Sequence, residues 1–237
     1  MISIFLIFIA SFIAATISGA AGFGGAFLLL PILTNTVGIK SAIPILTIGQ
    51  LFGNASRVWF GRNELKWRYI LLFTLSAIPM TIAGSYLFSE VNSSRIKFAI
   101  GLFLVFLVLY RRAKIKIITL KDKGIFIGGA LTGFLSGIAG SAGPLGAAFF
   151  LGLDLKATAY VASEAFTALA IHITKISVYR KYSLIGEVEL YYGLFIGMAM
   201  VCGSWVGKKI ITKMSKDKFL LIVDILLIIS GFQLIIS

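Results

Sequence analysis

Apolar residues run almost unbroken from residue 2 to residue 17, stop at Ser18-Gly19-Ala20-Ala21-Gly22-Phe23-Gly24-Gly25, and resume over 26–37. Further apolar runs follow at 41–61, 68–89 and 95–111, before a basic stretch from Arg111 to Lys123. The second half repeats the order, with a glycine-interrupted run over 124–153 and continuous runs at 157–178, 188–207 and 218–236. Each continuous run is long enough to cross a hydrocarbon core of about 30 Å as a helix. The first interrupted run is too long for one crossing, at about 45 Å if wholly helical. It predicts a hairpin of two short helical arms that enter and leave by the same side.

Glycine lowers helix stability by about 1 kcal/mol against alanine, so several within eight residues predict a break. Ser18, Gly19, Gly22 and Gly25 recur at one constant spacing as Ser136, Gly137, Gly140 and Gly143, in the octet Ser136-Gly137-Ile138-Ala139-Gly140-Ser141-Ala142-Gly143. At that same spacing Asn54, Arg57 and Arg62 fall on His172, Lys175 and Arg180; with the spacing drifting by one residue, Gly84-Ser85-Tyr86 is echoed by Gly203-Ser204-Trp205. Shared order of this kind predicts two homologous halves. The expected fold is an all-α polytopic membrane protein: a first transmembrane repeat over 1–112, a basic cytoplasmic linker over 113–123, and a second repeat over 124–237. A broken hairpin plus three transmembrane helices makes an odd number of crossings per half, so the halves are expected to be inverted. That topology also puts most of the 22 Lys and Arg on one side, the bias that marks the inner face. Ladders of small residues at Gly129/Gly133/Gly137, Gly49/Gly53, Gly193/Gly197 and Gly203/Gly207 predict close helix packing.

Composition agrees with the pattern. The chain is 59% hydrophobic and 13% charged, where a soluble domain carries about 25% charged residues. Its net charge of +13 does not indicate nucleic acid, because the cations lie in short loops between apolar runs. Cys202 is the single cysteine, which excludes a disulfide framework and predicts a small packing residue. Met1 to Ala20 lacks the charged n-region of a cleaved secretory signal. Trp59, Trp67, Tyr69, Tyr110, Tyr179, Tyr182, Tyr191 and Tyr192 fall near span ends and read as interfacial belts.

A helix broken at membrane depth presents N–H groups and the positive end of a dipole at the start of its second half, a setting for an anion. Glycine lets the guest approach the backbone there. Ser18, Gly22, Gly24 and Gly25 in one half, with Ser136, Gly140, Ser141 and Gly143 in the other, are therefore candidate substrate contacts. The following spans add polar stripes: Thr47, Gln50, Asn54 and Arg57 share one helical face, as do Glu164, Thr167, His172 and Lys175. Polar groups inside a membrane usually face an interior or a pathway. Gln50, Asn54, Arg57 and Lys175 join the candidate substrate set, the two cations favouring an anion. Glu164 lies deep in an apolar run, where a permanent charge is costly, and His172 is the single histidine; both are candidates for proton coupling. One histidine and one cysteine exclude the common zinc patterns, so no metal, cofactor or catalytic residue is assigned.

At these residues the chain resembles the sulfite exporter TauE/SafE family of bacterial and archaeal membrane transporters. The resemblance rests on Ser-Gly-x-x-Gly-x-Gly-Gly with Pro31 after it, on Asn54 and Arg57, and on the second glycine segment with the Glu164 span. It covers essentially the whole chain, with Ala142 standing where the first motif has Gly24 and Pro144 following Gly143. It implies a multi-pass protein of the plasma or inner membrane that exports a small sulfur-containing anion such as sulfite or an organosulfonate. The expected partners are that anion and the lipid bilayer, with a homodimer left open. Two other readings remain: a passive anion channel, and a membrane enzyme or assembly factor without transport. In the transport reading the site lies between the two breaks and one repeat rocks against the other.

Overall fold

The computed structural model describes residues 2–21, 25–112, 121–153, 155–210 and 228. Among them are nine α-helices: α1 Ile2–Ala21, α2 Gly25–Val37, α3 Ile39–Gly61, α4 Trp67–Glu90, α5 Ser93–Arg112, α6 Lys121–Ala139, α7 Gly143–Leu151, α8 Ala157–Lys181 and α9 Glu187–Ile210. The span expected over 218–236 (apart from residue 228), Gly22, Gly24 and most of the basic linker lie outside the described residues. Trp67–Glu90, Thr158–Lys181 and Glu187–Gly207 are each long and apolar enough to cross a membrane. The middle one has the lowest hydropathy of the three, 1.2, because it carries Glu164, His172 and Lys175.

The interruptions are narrower than the glycine octets suggest. Ser18 to Ala21 remain in α1 and Ser136 to Ala139 remain in α6, since lipid leaves every unpaired backbone group costly and the helix continues as far as it can. In the second half the turn is confined to Gly140-Ser141-Ala142, where Gly140 takes a φ of 78°. The last residues of the basic linker, Lys121 to Lys123, are already helical as the start of α6. A second left-handed glycine, Gly38 at φ 76°, ends α2 and starts α3 at once. Its N–H donates to the Thr34 carbonyl (3.0 Å) and its carbonyl accepts from Ala42 (2.9 Å).

Helices in lipid have no hydrophobic force drawing them together and associate through close packing. The predicted ladders supply it. A Cβ added at Gly129, Gly133 or Gly137 would lie within 2.2–2.6 Å of α4, against Phe73, Ala77 and Ser85 in turn. Gly203 and Gly207 of α9 meet Phe12 and Thr16 of α1 just as tightly, while Gly49 and Gly193 receive Ile196 and Ile48 across the α3–α9 seam. These successive contacts make α6 parallel to α4, and α9 parallel to both α1 and α3. Gly61 at the end of α3 packs on Thr158 and Ala162 at the start of α8, so these two are antiparallel. Phe88 of α4 meets the tilted ring of Tyr179 of α8 at 5.4 Å, and Trp67 meets Phe166 edge to face at 5.1 Å, so α4 and α8 run together. Helices α1, α3 and α9 thus run one way, and α4, α6 and α8 the other.

Polar ties mark the two ends of the bundle. At one, Lys40 donates to the Phe88 and Ser89 carbonyls, and Ser41 donates to Glu189 at 2.7 Å. At the other, Thr158 donates to Glu64 at 2.5 Å, and Arg68 pairs with Asp122 at 2.5 Å. The latter pair is exposed and contributes little stability.

Two readings from the sequence are corrected here. Tyr179 is not in an interfacial belt: it is fully buried and donates its hydroxyl to the Gly137 carbonyl at 2.8 Å. Cys202 is exposed, so it does not serve as a packing residue.

Candidate functional site

The turn at Gly140 leaves α6 and α7 as two arms of a hairpin, and a cavity of about 30 Å³ opens where they part. By the same measure a single water needs about 10–15 Å³. Ser136 of α6 lines it together with Ser141, Ala142 and Gly143 of the turn. The α3 stripe contributes Gln50, Asn54 and Arg57, and the α8 stripe contributes Glu164, Thr167 and His172. Most of the residues singled out from the second break and the two stripes therefore meet around one small polar space.

Its wall holds polar groups that protein atoms leave unanswered. Among the described residues, Gln50 Nε2, Thr132 Oγ1, Glu164 Oε2 and His172 Nδ1 are buried without a hydrogen-bond partner. Orphaned buried polar atoms are rare in native structures and call for an explanation. Arg57 donates through Nη2 to Asn54 Oδ1, so the asparagine orients the guanidinium, and Arg57 also interacts electrostatically with Glu164. Thr167 is partly occupied, donating to the Glu164 carbonyl at 2.8 Å.

The helix start itself is less generous than the sequence suggests. Leu145 and Gly146 both donate to the Ala142 carbonyl, at 3.0 and 3.1 Å, and Pro144 has no N–H to offer. The Gly143 amide makes only a long 3.4 Å contact with Ser141 Oγ. One weakly held amide and the dipole of α7 remain on that side, so side chains carry most of the polar lining.

Lys175 and Gly140 do not line the cavity. Lys175 is fully buried and donates from Nζ to the Gly140 carbonyl at 2.5 Å, with the Tyr179 ring 5.7 Å away. It thereby satisfies a carbonyl at the end of α6, where the dipole is negative. Truncation to Lys175→Met leaves that carbonyl buried and unpaired, at a cost of about 1–3 kcal/mol. A lowered melting temperature, recovered in part by Lys175→Arg, is the expected result. Thr47 also stays off the wall, its hydroxyl donating to the Ile43 carbonyl at 2.8 Å. Ser18 is described only as part of α1, and Gly22 and Gly24 lie outside the described residues.

Gly25 lines a second, smaller space of about 10 Å³ together with Gly53, Met200 and Ser204, and Gln50 and Arg57 border both cavities. Sequence reasoning missed Thr132, Gly146 and Phe73 in the first cavity. Thr132 lies one turn before Ser136 and Gly146 one turn after Gly143, a signal at helical spacing that could have found both. Phe73 sits in a plain apolar run and gives no such sign.

Against this geometry stands the comparison with protein families: the family model for Sulfite exporter TauE/SafE matches residues 7–234. The chain belongs to the sulfite exporter TauE/SafE family. No curated protein and no solved structure gives a significant match. The family match takes in both glycine segments, both polar stripes and the cavity between them, and it bears out the resemblance read from the motifs. A TauE/SafE protein is a membrane transporter by family, and the helices described here are those of a helical membrane protein.

Proposed function

We propose that this chain is a secondary transporter that exports a small sulfur-containing oxyanion, sulfite or an organosulfonate, across the cell membrane. The observation that carries the reading is the polar cavity at the Gly140 turn, where Arg57 and the unanswered Gln50 amide converge beside the start of α7. A pyramidal or tetrahedral oxyanion suits donors that approach from several helices, because charge-assisted hydrogen bonds favour short, convergent geometry. Among the described residues Arg57 is the cation on the cavity wall, and an anionic guest would share it with the carboxylate of Glu164. The two cavities are separate spaces, an arrangement that suits a carrier with alternating access better than an open channel.

The inverted arrangement of two repeats, over 1–112 and 124–237, is part of this proposal. It is supported by helix direction, since α1, α3 and α9 oppose their counterparts α6, α8 and α4. The end that carries Arg62, Lys66, Arg68, Lys123 and Lys156 is assigned to the cytoplasm by its positive charge.

Sulfite added to the purified protein should raise its melting temperature, since a ligand that binds only the folded state must stabilise it. Labelled sulfite should also exchange across proteoliposomes. Glu164 is assigned the coupling proton: it is buried, and among the described residues its Oε2 has no hydrogen-bond partner while Arg57, Tyr160 and His172 are titratable groups near it. Glu164→Gln should preserve sulfite exchange while making net flux indifferent to a proton gradient. Gradient-driven flux in that variant would remove Glu164 from the coupling role.

A further inference from the structure

We propose that Thr132 is a ligand of the transported oxyanion, its hydroxyl kept open to the guest by the bare backbone of Gly146. The inference rests on the transport reading above and adds a neutral donor to its site. Thr132 lies inside α6 and is buried, at 4% exposure, on the wall of the larger cavity. A threonine within a helix commonly turns its hydroxyl back onto the carbonyl four residues earlier. Thr16, Thr47, Thr81 and Thr174 all do so here, donating to Phe12, Ile43, Ala77 and Ala170 at 2.7–2.9 Å. Thr132 leaves the Gly128 carbonyl alone, and its Oγ1 has no hydrogen-bond partner among the described residues. Thr34 and Thr74 are unanswered too, but neither borders either of the two cavities.

Gly146 of α7, on the same wall, accounts for the pose. A Cβ there would come 3.3 Å from the Thr132 methyl, 3.7 Å from Phe73 Cζ and 3.8 Å from Glu164 Oε1. The methyl thus takes the place that a side chain at 146 would crowd, with the Phe73 ring edge beside it. A β-branched side chain has few χ1 states, so seating the methyl also fixes the hydroxyl. Arg57 on this wall is shared with Glu164, so an anionic guest needs neutral donors as well. Gln50 Nε2 of α3 and Thr132 Oγ1 of α6 are unanswered groups of that kind, and they come from different helices. A hydroxyl gives one hydrogen without adding charge, and its bond to an anion is stronger than one to a neutral acceptor. In the empty protein the unmade bond is a cost that the guest removes.

Thr132→Val keeps the shape of the side chain and removes the hydroxyl. Because that hydroxyl has no partner in the protein, the melting temperature without ligand should be unchanged or higher. The midpoint of the sulfite-induced thermal shift should nevertheless weaken about tenfold or more. Thr132→Ser keeps the hydroxyl but not the methyl that seats it, and Gly146→Ala presses on that methyl. In both, the midpoint should weaken about threefold or more. A wild-type sulfite midpoint in Thr132→Val would overturn the proposal. So would a lowered melting temperature of that variant without ligand, or its failure to fold, since either marks a hydroxyl with a structural partner. Wild-type midpoints in both Thr132→Ser and Gly146→Ala would take Gly146 out of the positioning role. If the wild-type protein gives no thermal shift with sulfite or an organosulfonate, the transport reading itself fails and the ligand falls with it.

Discussion

Arg57→Met should abolish the sulfite-dependent thermal shift and reduce exchange flux by about a hundredfold or more. The side chain borders both cavities, is steered by Asn54 and faces Glu164. Truncating one member of a buried, hydrogen-bonded charged set costs about 2–5 kcal/mol, and each 1.4 kcal/mol is a factor of ten in affinity. Methionine keeps much of the length and apolar stem, so the loss reports the charge and its donors. Arg57→Lys retains the charge without the fork and should fall between, because an ammonium cannot hold Asn54 and a guest in the same planar geometry. Titration of the melting temperature with sulfite, on protein that remains monodisperse, is the measurement. An unchanged midpoint in Arg57→Met would take the cation out of the site.

The second large effect is structural. Gly133→Leu should prevent accumulation of folded protein, whereas Leu131→Phe, on the half-exposed outer face of the same helix, should be tolerated. A Cβ at Gly133 would lie 2.3 Å from the Ala77 carbonyl and 2.9 Å from Thr81 Oγ1. Overpacking costs about 1–3 kcal/mol where side chains can give way. Here the first atom met is backbone, so the whole α4–α6 seam must open. Lipid then competes for the separated faces, with no hydrophobic force to close them again. Fluorescence-detected size exclusion of detergent extracts reads the outcome directly, and a normal monodisperse peak for Gly133→Leu would contradict the packing described.

Much of this was legible in advance because membrane physics leaves few options. Gln50, Asn54, Arg57, Glu164 and His172 interrupt apolar runs at helical spacing, so they had to turn inward, and the structure gathers them around one cavity. Glycine ladders likewise had to mark close seams. What could not be read was depth and partnership. Tyr179 sits near a span end in sequence, yet the neighbouring Gly137 carbonyl draws it into the core. Lys175 looked like a companion to Arg57, but the turn at Gly140 leaves a carbonyl that its ammonium answers. The width of the break was overread for a similar reason: residues with weak helix propensity stay helical where lipid makes an unpaired backbone costlier than a glycine.

The tightest seams, α1 with α9 and α6 with α4, each join a segment from one half of the sequence to a segment from the other. In the transport proposed here the moving body would therefore be stitched from both halves, in place of the one repeat rocking against the other that the sequence suggested. In the two-repeat arrangement proposed here, a half-length ancestor would carry a bare glycine groove on its hairpin arm, and a second copy of itself would be the natural lid for it.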